Sequence, residues 1–351
     1  MSKEFFKINY ENKKPKNYKK FNIGIIGAGN IVENSHLPIY KKNNLNVKNI
    51  FDINQNKARK LKKKFKIEKY SKSLDEFLND KSLDIVDIAV PAEFNKELFV
   101  KSIINKKNIL IQKPLSNNLE TAEEIKKIYK QSSLKSNVNH QMQFSPAISA
   151  AKSVINNKYL GKIISFKLFT YRFTDWSIWP WLEKIDYPEI RYNSIHYLDT
   201  IRYLFGNPQS LVTKLKNSDN DIKDKPMNTN IFLKYPDFYG ELDIIHNSKE
   251  KSENWRAGYE IIGDNGRCDG VISSMIGNGY NFLDSIKLTC KVNGLIYEKF
   301  FELEGRWFSE AFLGPIYSLM DSINNDTEPR SNIYEAYETL ILVENVIQNQ
   351  N

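Results

Sequence analysis

The segment NIGIIGAGNIV sets two glycines, Gly27 and Gly29, directly after an apolar run and ahead of a helical pattern. Such a turn suits phosphate chemistry. Gly27 permits the tight reversal, and Gly29, lacking a Cβ, lets the main-chain amides running on through Asn30 and Ile31 approach a pyrophosphate at a helix N-terminus. The third position of the pattern is Val32 rather than glycine or alanine, which loosens helix-to-strand packing but leaves the amides in place. Asp52 closes the next apolar run, 23 residues after Gly29, near the ~20 expected of a carboxylate that binds the adenosine ribose. About 4 Å from a 2′-phosphate such a carboxylate would repel it by up to ~4 kcal/mol per charge at an effective dielectric near 20. The spacing therefore predicts NAD rather than NADP.

Two further side chains have the chemistry of proton transfer. Lys113 follows NILIQ, at the carboxyl end of an expected parallel strand, where open α/β sheets hold their ligands. An ammonium there hydrogen-bonds a substrate hydroxyl and stabilises the alkoxide as hydride departs. The plainer alternative is an exposed cation before a proline turn. His196, one of four histidines, falls on a helical pattern, and an imidazole titrating near 6.5 is suited to a general base, although a lone helical histidine is often a core residue. Tyr192 precedes it by one helical turn, so the two share a face; its phenol either hydrogen-bonds substrate or fills space. Trp176, Trp179 and Trp181 crowd into TDWSIWPWL, either as aromatic faces for a sugar or as packing. Cys268 and Cys290 lack zinc or redox spacing, so no metal site is expected.

These groups need a scaffold. From Phe21 short apolar runs alternate with amphipathic helical patterns up to Gln141, the signature of a parallel sheet covered on both faces. After Phe144 the pattern changes to successive β-branched and aromatic runs such as KIISFKLFTYRF and SIKLTCKV, which predict a largely antiparallel sheet; two helical patterns close the chain. The fold class expected is α/β: an N-terminal Rossmann doubly wound sheet over residues 21–144 and a C-terminal α+β domain with an open sheet over 145–351, behind a polar, loosely packed tail over 1–20. With 351 residues, 41% hydrophobic and 26% charged, two ordinary cores are feasible. The net charge of +9 and the pI near 9.1 come from scattered lysines, dense over Lys57 to Lys69 on an expected solvated helix face. No nucleic-acid-binding motif accompanies them, so no nucleic-acid partner is expected. No apolar run is long enough to span a bilayer, and the lysine-rich start holds no signal core, so the expectation is a cytoplasmic protein with no membrane partner.

Three further segments, AVPAEFNKEL (Ala89 to Leu98), ILIQKPLSNN (Ile109 to Asn118) and RYNSIHYLDTIRYLFGNP (Arg191 to Pro208), join the glycine turn and the HLP of His36 to Pro38 in an ordered series. In that order they resemble the glucose-fructose oxidoreductase, inositol dehydrogenase and MocA family. The resemblance implies an NAD-dependent dehydrogenase acting on the CH-OH group of a small polyhydroxylated substrate, a sugar or inositol-like polyol, with its active site in a cleft between the domains. It also implies a homo-oligomer, dimer or tetramer, joined through the open sheet. Val90, Pro91 and Asn95 then line the cofactor. The family's Glu-Lys-Pro reads Gln112-Lys113-Pro114, so the glutamate charge is missing while Lys113 keeps its place. In the family's Asp-x-x-x-His-x-x-Asp pattern His196 and Asp199 match, and Tyr192 stands for the first aspartate. Gln141 and Gln143 are candidates for substrate hydroxyls, with Trp179 and Asp199 beside them; Gln143 stands where relatives often have arginine, which argues against an anionic substrate. Two other readings stay open: a nucleotide-binding regulator without turnover, or a hydrolase or epimerase in which bound NAD is reduced and reoxidised within one cycle.

Overall fold

Asparagine, aspartate and proline bound the short apolar runs in the first half of the chain at strand length, and in the computed structural model these runs become one sheet. The structure describes residues 6–217, 222, 225–273 and 283–350. The strands are β1 (Asn22–Ile26), β2 (Asn46–Phe51), β3 (Lys69–Tyr70), β4 (Ile85–Ile88), β5 (Asn108–Gln112) and β6 (Ser136–Asn139), in the order β3-β2-β1-β4-β5-β6 and all parallel. This is the strand order of a dinucleotide-binding fold, and it reverses at β1 and β4, where such sheets open their ligand crevice. Ile23, Ile25, Ile50, Ile85, Val86, Ile109, Leu110 and Ile111 have no measurable exposure, as a sheet covered on both faces demands. Helices Gln55–Phe65, Asn95–Ile104 and Leu119–Lys130 fall between the strands in sequence, as the alternating pattern predicts.

Caps explain where those helices begin. The side chains of Asn54, Ser73 and Asn118 each accept a main-chain N–H from the first turn of the helix that follows, satisfying donors that the helix itself cannot. The lysine-rich face of Gln55–Phe65 lies outward, and Lys60 and Lys64 reach Glu33 at 3.2 and 2.7 Å.

Among the described residues the second sheet contains β7 (Ile163–Tyr171), β8 (Ser210–Lys216), β9 (Asn228–Lys234), β10 (Tyr239–Ile245), β11 (Arg256–Gly263), β12 (Gly266–Val271), β13 (Ser285–Val292) and β14 (Leu295–Glu302). Their order is β14-β13-β12-β11-β7-β10-β9-β8, antiparallel throughout except for the β7–β10 pair. Helices Pro146–Asn156 and Ile195–Phe205 accompany this sheet; the first, rich in alanine, had no counterpart in the expected element series. Side chains alternate. In β7, Phe166, Leu168 and Thr170 are buried and Lys167, Phe169 and Tyr171 are half-buried. Cys268 and Cys290 are buried free thiols on neighbouring strands.

The chain divides into two units that do not follow one cut in sequence. One holds residues 12–141 with 312–340, and the other holds the N-terminal residues through Glu11 with 142–311 and 341–351. The return of the helix Leu313–Asn325 to the first unit has a direct cause. Asn137 donates to the Pro315 carbonyl at 2.8 Å, Val138 N–H donates to the Ser331 carbonyl at 2.8 Å, and Ile316, Leu319 and Met320 are fully buried. The lysine-rich start is held as well: Lys7 N–H donates to the Tyr159 hydroxyl and Asn9 N–H to Ser153 Oγ, each at 3.0 Å, in the second unit. No helix among the described residues is long and apolar enough to cross a membrane.

Candidate functional site

The turn after β1 is fixed by three hydrogen bonds. Gly27 N–H donates to the Phe51 carbonyl at 2.8 Å. The Asp52 carboxylate accepts Ala28 N–H and Asn54 N–H, each at 2.7 Å. Gly27 has φ 103, and a Cβ there would lie 2.3 Å from the Ala89 carbonyl oxygen, so only glycine fits against the end of β4. At Gly29 an added Cβ would meet nothing within 4 Å. The glycine thus stands before open space. Its carbonyl accepts Glu33 N–H at 3.0 Å, which starts the helix, and a π-helical stretch over Val32–His36 follows before Leu37–Lys42. The first N–H groups of a helix have no partner within it, and here those of Asn30 and Ile31 fall on exposed or half-buried residues. A turn of this shape fits a dinucleotide's phosphates. Each Asp52 oxygen, having accepted one amide, retains capacity for a ribose hydroxyl.

The segments after β4 and β5 complete this end of the sheet. Val90 is half-buried and Pro91 exposed at the carboxyl end of β4. Asn95 turns inward instead: fully buried, it donates to the carbonyls of Pro114 at 3.0 Å and Leu115 at 3.2 Å. Asn95 therefore braces the backbone just beyond Lys113. Lys113 is half-buried as a residue, yet enough protein surrounds its ammonium for desolvation to pull it down to about 7. Gln112 Oε1 is buried and accepts no hydrogen bond among the described residues.

In the other unit, His196 lies one residue into the helix Ile195–Phe205 and is buried, with its ring edge-on to Trp307 at 5.4 Å between centroids. Trp307, 111 positions further along the chain, carried no sequence signal for this contact. Asp199 is buried and accepts from Gln143 Nε2 at 2.8 Å, which brings two of the candidates for substrate contact together. Gln141 is buried in the first unit, immediately before the unit boundary. Tyr192 and Trp179 pack on a cluster of Trp176, Leu182, Ile222 and Met227, and the Trp181 ring meets Tyr192 at 4.8 Å. Tyr192 sits in a π-helical turn, Ile190–Ser194, where α-helical spacing had been expected. A buried group of Arg172, Glu189 and His246 beneath this turn was not anticipated, because nothing short-range in the sequence connects the three.

Comparison with known proteins agrees with the geometry. Residues 21–140 match the model of an oxidoreductase family with an NAD-binding Rossmann fold, GFO_IDH_MocA, and residues 148–269 match that of the GFO/IDH/MocA C-terminal domain. The chain belongs to the GFO/IDH/MocA oxidoreductase family. It is 24% identical over 259 residues to glucose-6-phosphate 3-dehydrogenase of Bacillus subtilis, covering 69% of this chain and 71% of that protein. It is 32% identical over 149 residues to an uncharacterised protein of Saccharomyces cerevisiae, covering 41% of this chain but only 42% of the yeast protein. A solved structure of levoglucosan dehydrogenase in complex with NADH and levoglucosan has the same fold, with a TM-score of 0.79 at 17% identity over 94% of this chain and 96% of that one.

Two stability effects are expected. Gly27→Ala combines an unfavourable φ with a contact against fixed backbone and should cost ~2 kcal/mol or more, read from urea unfolding. Lys113→Met should act in the opposite direction. Because the folded-state pKa of Lys113 lies below its ordinary value, folding below about pH 7 confines a protonated ammonium, and stability rises with pH between about 7 and 10.5. The variant should melt a few degrees higher at pH 6 and lose this pH dependence, as scanning calorimetry would record.

Proposed function

We propose that this chain oxidises a secondary alcohol on a sugar or inositol-like polyol with NAD. The observation that carries the reading is Lys113, whose ammonium, drawn down to about 7 at the carboxyl end of β5, exchanges protons at neutral pH as an ordinary lysine near 10.4 does not. In support, two of the proteins it resembles bear the names of sugar dehydrogenases. NAD, when bound, accepts the hydride from the carbinol carbon. With Gly27 making the turn, the amides of Gly29, Asn30 and Ile31 hold its phosphates, Asp52 takes the adenosine ribose, and Val90, Pro91 and the Gln112–Lys113 segment line its path, with Asn95 bracing that segment.

Lys113 hydrogen-bonds the reacting hydroxyl, and His196 takes the proton that leaves as the carbonyl forms. Tyr192 adds a phenol on the helix of His196; Gln141, Gln143, Asp199 and Trp179 are the candidate contacts for the remaining hydroxyls and the ring face. The balance is one alcohol and NAD consumed, one ketone, one NADH and one proton released.

NADH absorbance over a panel of polyols, with NAD and NADP side by side, tests this. Lys113→Ala and His196→Ala should each lower kcat/KM by ~10² to 10⁴-fold, while calorimetry gives Lys113→Ala an affinity for NAD close to that of the parent. In the oxidative direction kcat/KM should rise with pH through about 7, because only a neutral Lys113 amine can accept the hydrogen bond of the reacting hydroxyl while its proton passes to His196, and fall in reverse. Full activity in both variants overturns the assignment. Product without net NADH would instead support an internal redox cycle, and NAD binding without turnover a regulator.

The second unit also suggests a homo-oligomer. One face of its sheet carries the register row Val212, Phe232, Glu241, Lys167, Glu260, Asp269, Lys287 and Phe300, in which Phe232 is 48% and Phe300 62% exposed. Apolar ends flank a charged middle where Lys167 pairs with Asp243 at 3.0 Å. A second copy is the occupant we favour, since such a face is self-complementary under a two-fold axis. Phe232→Glu with Phe300→Glu should shift the sedimentation coefficient to that of a monomer; an unchanged value excludes this face.

A further inference from the structure

We propose that Glu189 is a positioning residue, clamping the wide turn that precedes His196 to three strand ends. This rests on the role given above to His196. Glu189 is the residue from which the π-helical turn Ile190–Ser194 departs. Its carboxylate accepts Asn193 Nδ2 at 2.9 Å and Ser194 Oγ at 2.9 and 2.8 Å, both from that turn. It also accepts Thr229 Oγ1 from β9 at 2.6 Å, and His246 Nε2, one residue past β10, stands 3.4 Å away. Arg172, one residue past β7, donates from Nη2 to Asn193 Oδ1 at 3.1 Å. Glu189, Ser194 and His246 have no measurable exposure.

A buried carboxylate is a poor way to gain stability, because its desolvation offsets most of what its partners return. The body of the helix does not need it: Ile195, Leu198, Ile201 and Leu204 are buried and hold Ile195–Phe205 by packing. The clamp acts only on the first turn. That turn has π rather than α geometry, an irregularity common at functional sites, and its wide pitch sets how Tyr192 is directed relative to His196. Without the carboxylate, Asn193 and Ser194 lose the acceptor that holds the pitch, and the turn is free to tighten to α spacing.

The test uses the full chain and its four histidines. In ¹H–¹⁵N spectra of histidine-labelled protein, with His196 assigned through His196→Ala, Glu189→Gln should move the His196 ring resonances by several linewidths and leave those of His36 and His140 in place. Activity should fall about tenfold in kcat, with the NAD dissociation constant unchanged. If Glu189→Gln does not fold, Thr229→Val removes a single donor and should give a smaller displacement of the same resonances. Unmoved His196 resonances in a folded variant overturn the clamp whatever the activity does. Moved resonances in a protein that turns over no polyol uphold the clamp and overturn the proposed reaction instead.

Discussion

Everything at the carboxyl end of the parallel sheet depends on the Asp52 carboxylate, which holds the backbone at Ala28 and Asn54 at the same time. Two charge-assisted hydrogen bonds to main-chain amides tie the end of β2 to the turn after β1 and to the start of the helix Gln55–Phe65. With Gly27 closed against Phe51 and Ala89, the turn has little freedom left. Oriented amides are useful for anion binding only when they need no rearrangement as the ligand arrives. The carboxylate proposed to take the adenosine ribose thus also braces the glycine turn.

Lys113 shows the complementary constraint. An ammonium removed from water is disfavoured, and here desolvation lowers its pKa to about 7 while Asn95 holds the backbone just beyond. A glutamate at position 112 would add a charge that raises a neighbouring lysine's pKa. Glutamine withholds that charge, so desolvation acts unopposed from that side. The departure from the Glu-Lys-Pro of the resemblance therefore has a direct electrostatic consequence at Lys113.

What could be read in advance divides by the range of the interaction. Strands β1, β4 and β5 announce themselves because a strand buried on both faces must be apolar at nearly every position, whereas β2 and the polar SNVN of β6 are marked only by their place in the alternation of strands and helices. β8, β12 and β14 do not: SLVTKLK and LIYEKFFE alternate with charge on a face that the unit itself leaves open, and GRCDGV carries two glycines. The helix Pro146–Asn156 is rich in alanine and serine, which leaves little apolar contrast to mark it. The glycine turn between a strand and a helix, Asp52 just past β2, Lys113 just past β5 and His196 on a helix could be placed from the sequence because each lies within one short segment. Trp307 against His196, and Thr229 and His246 around Glu189, could not, since each contact joins positions 40 or more residues apart in the chain. The π-helical turns were equally hidden, because a hydrophobic pattern of period 3.6 does not reveal one inserted residue.

The same contrast bears on the missing carboxylate of the second family motif. Where relatives carry aspartate four residues before the histidine, this chain has Tyr192, packed on an aromatic cluster that an ionised group would not tolerate cheaply. A carboxylate is present three residues earlier, at Glu189, but fully buried and with both oxygens engaged. Burial alone would push that carboxyl up; the hydrogen bonds from His246, Thr229 and Asn193 hold it below the ordinary range, so it remains charged through the neutral region. The negative charge thus serves the geometry of the turn, and the surface of the turn is left aromatic. The turn before His196 packs its phenol among aromatic and apolar side chains, with the carboxylate of Glu189 turned inward.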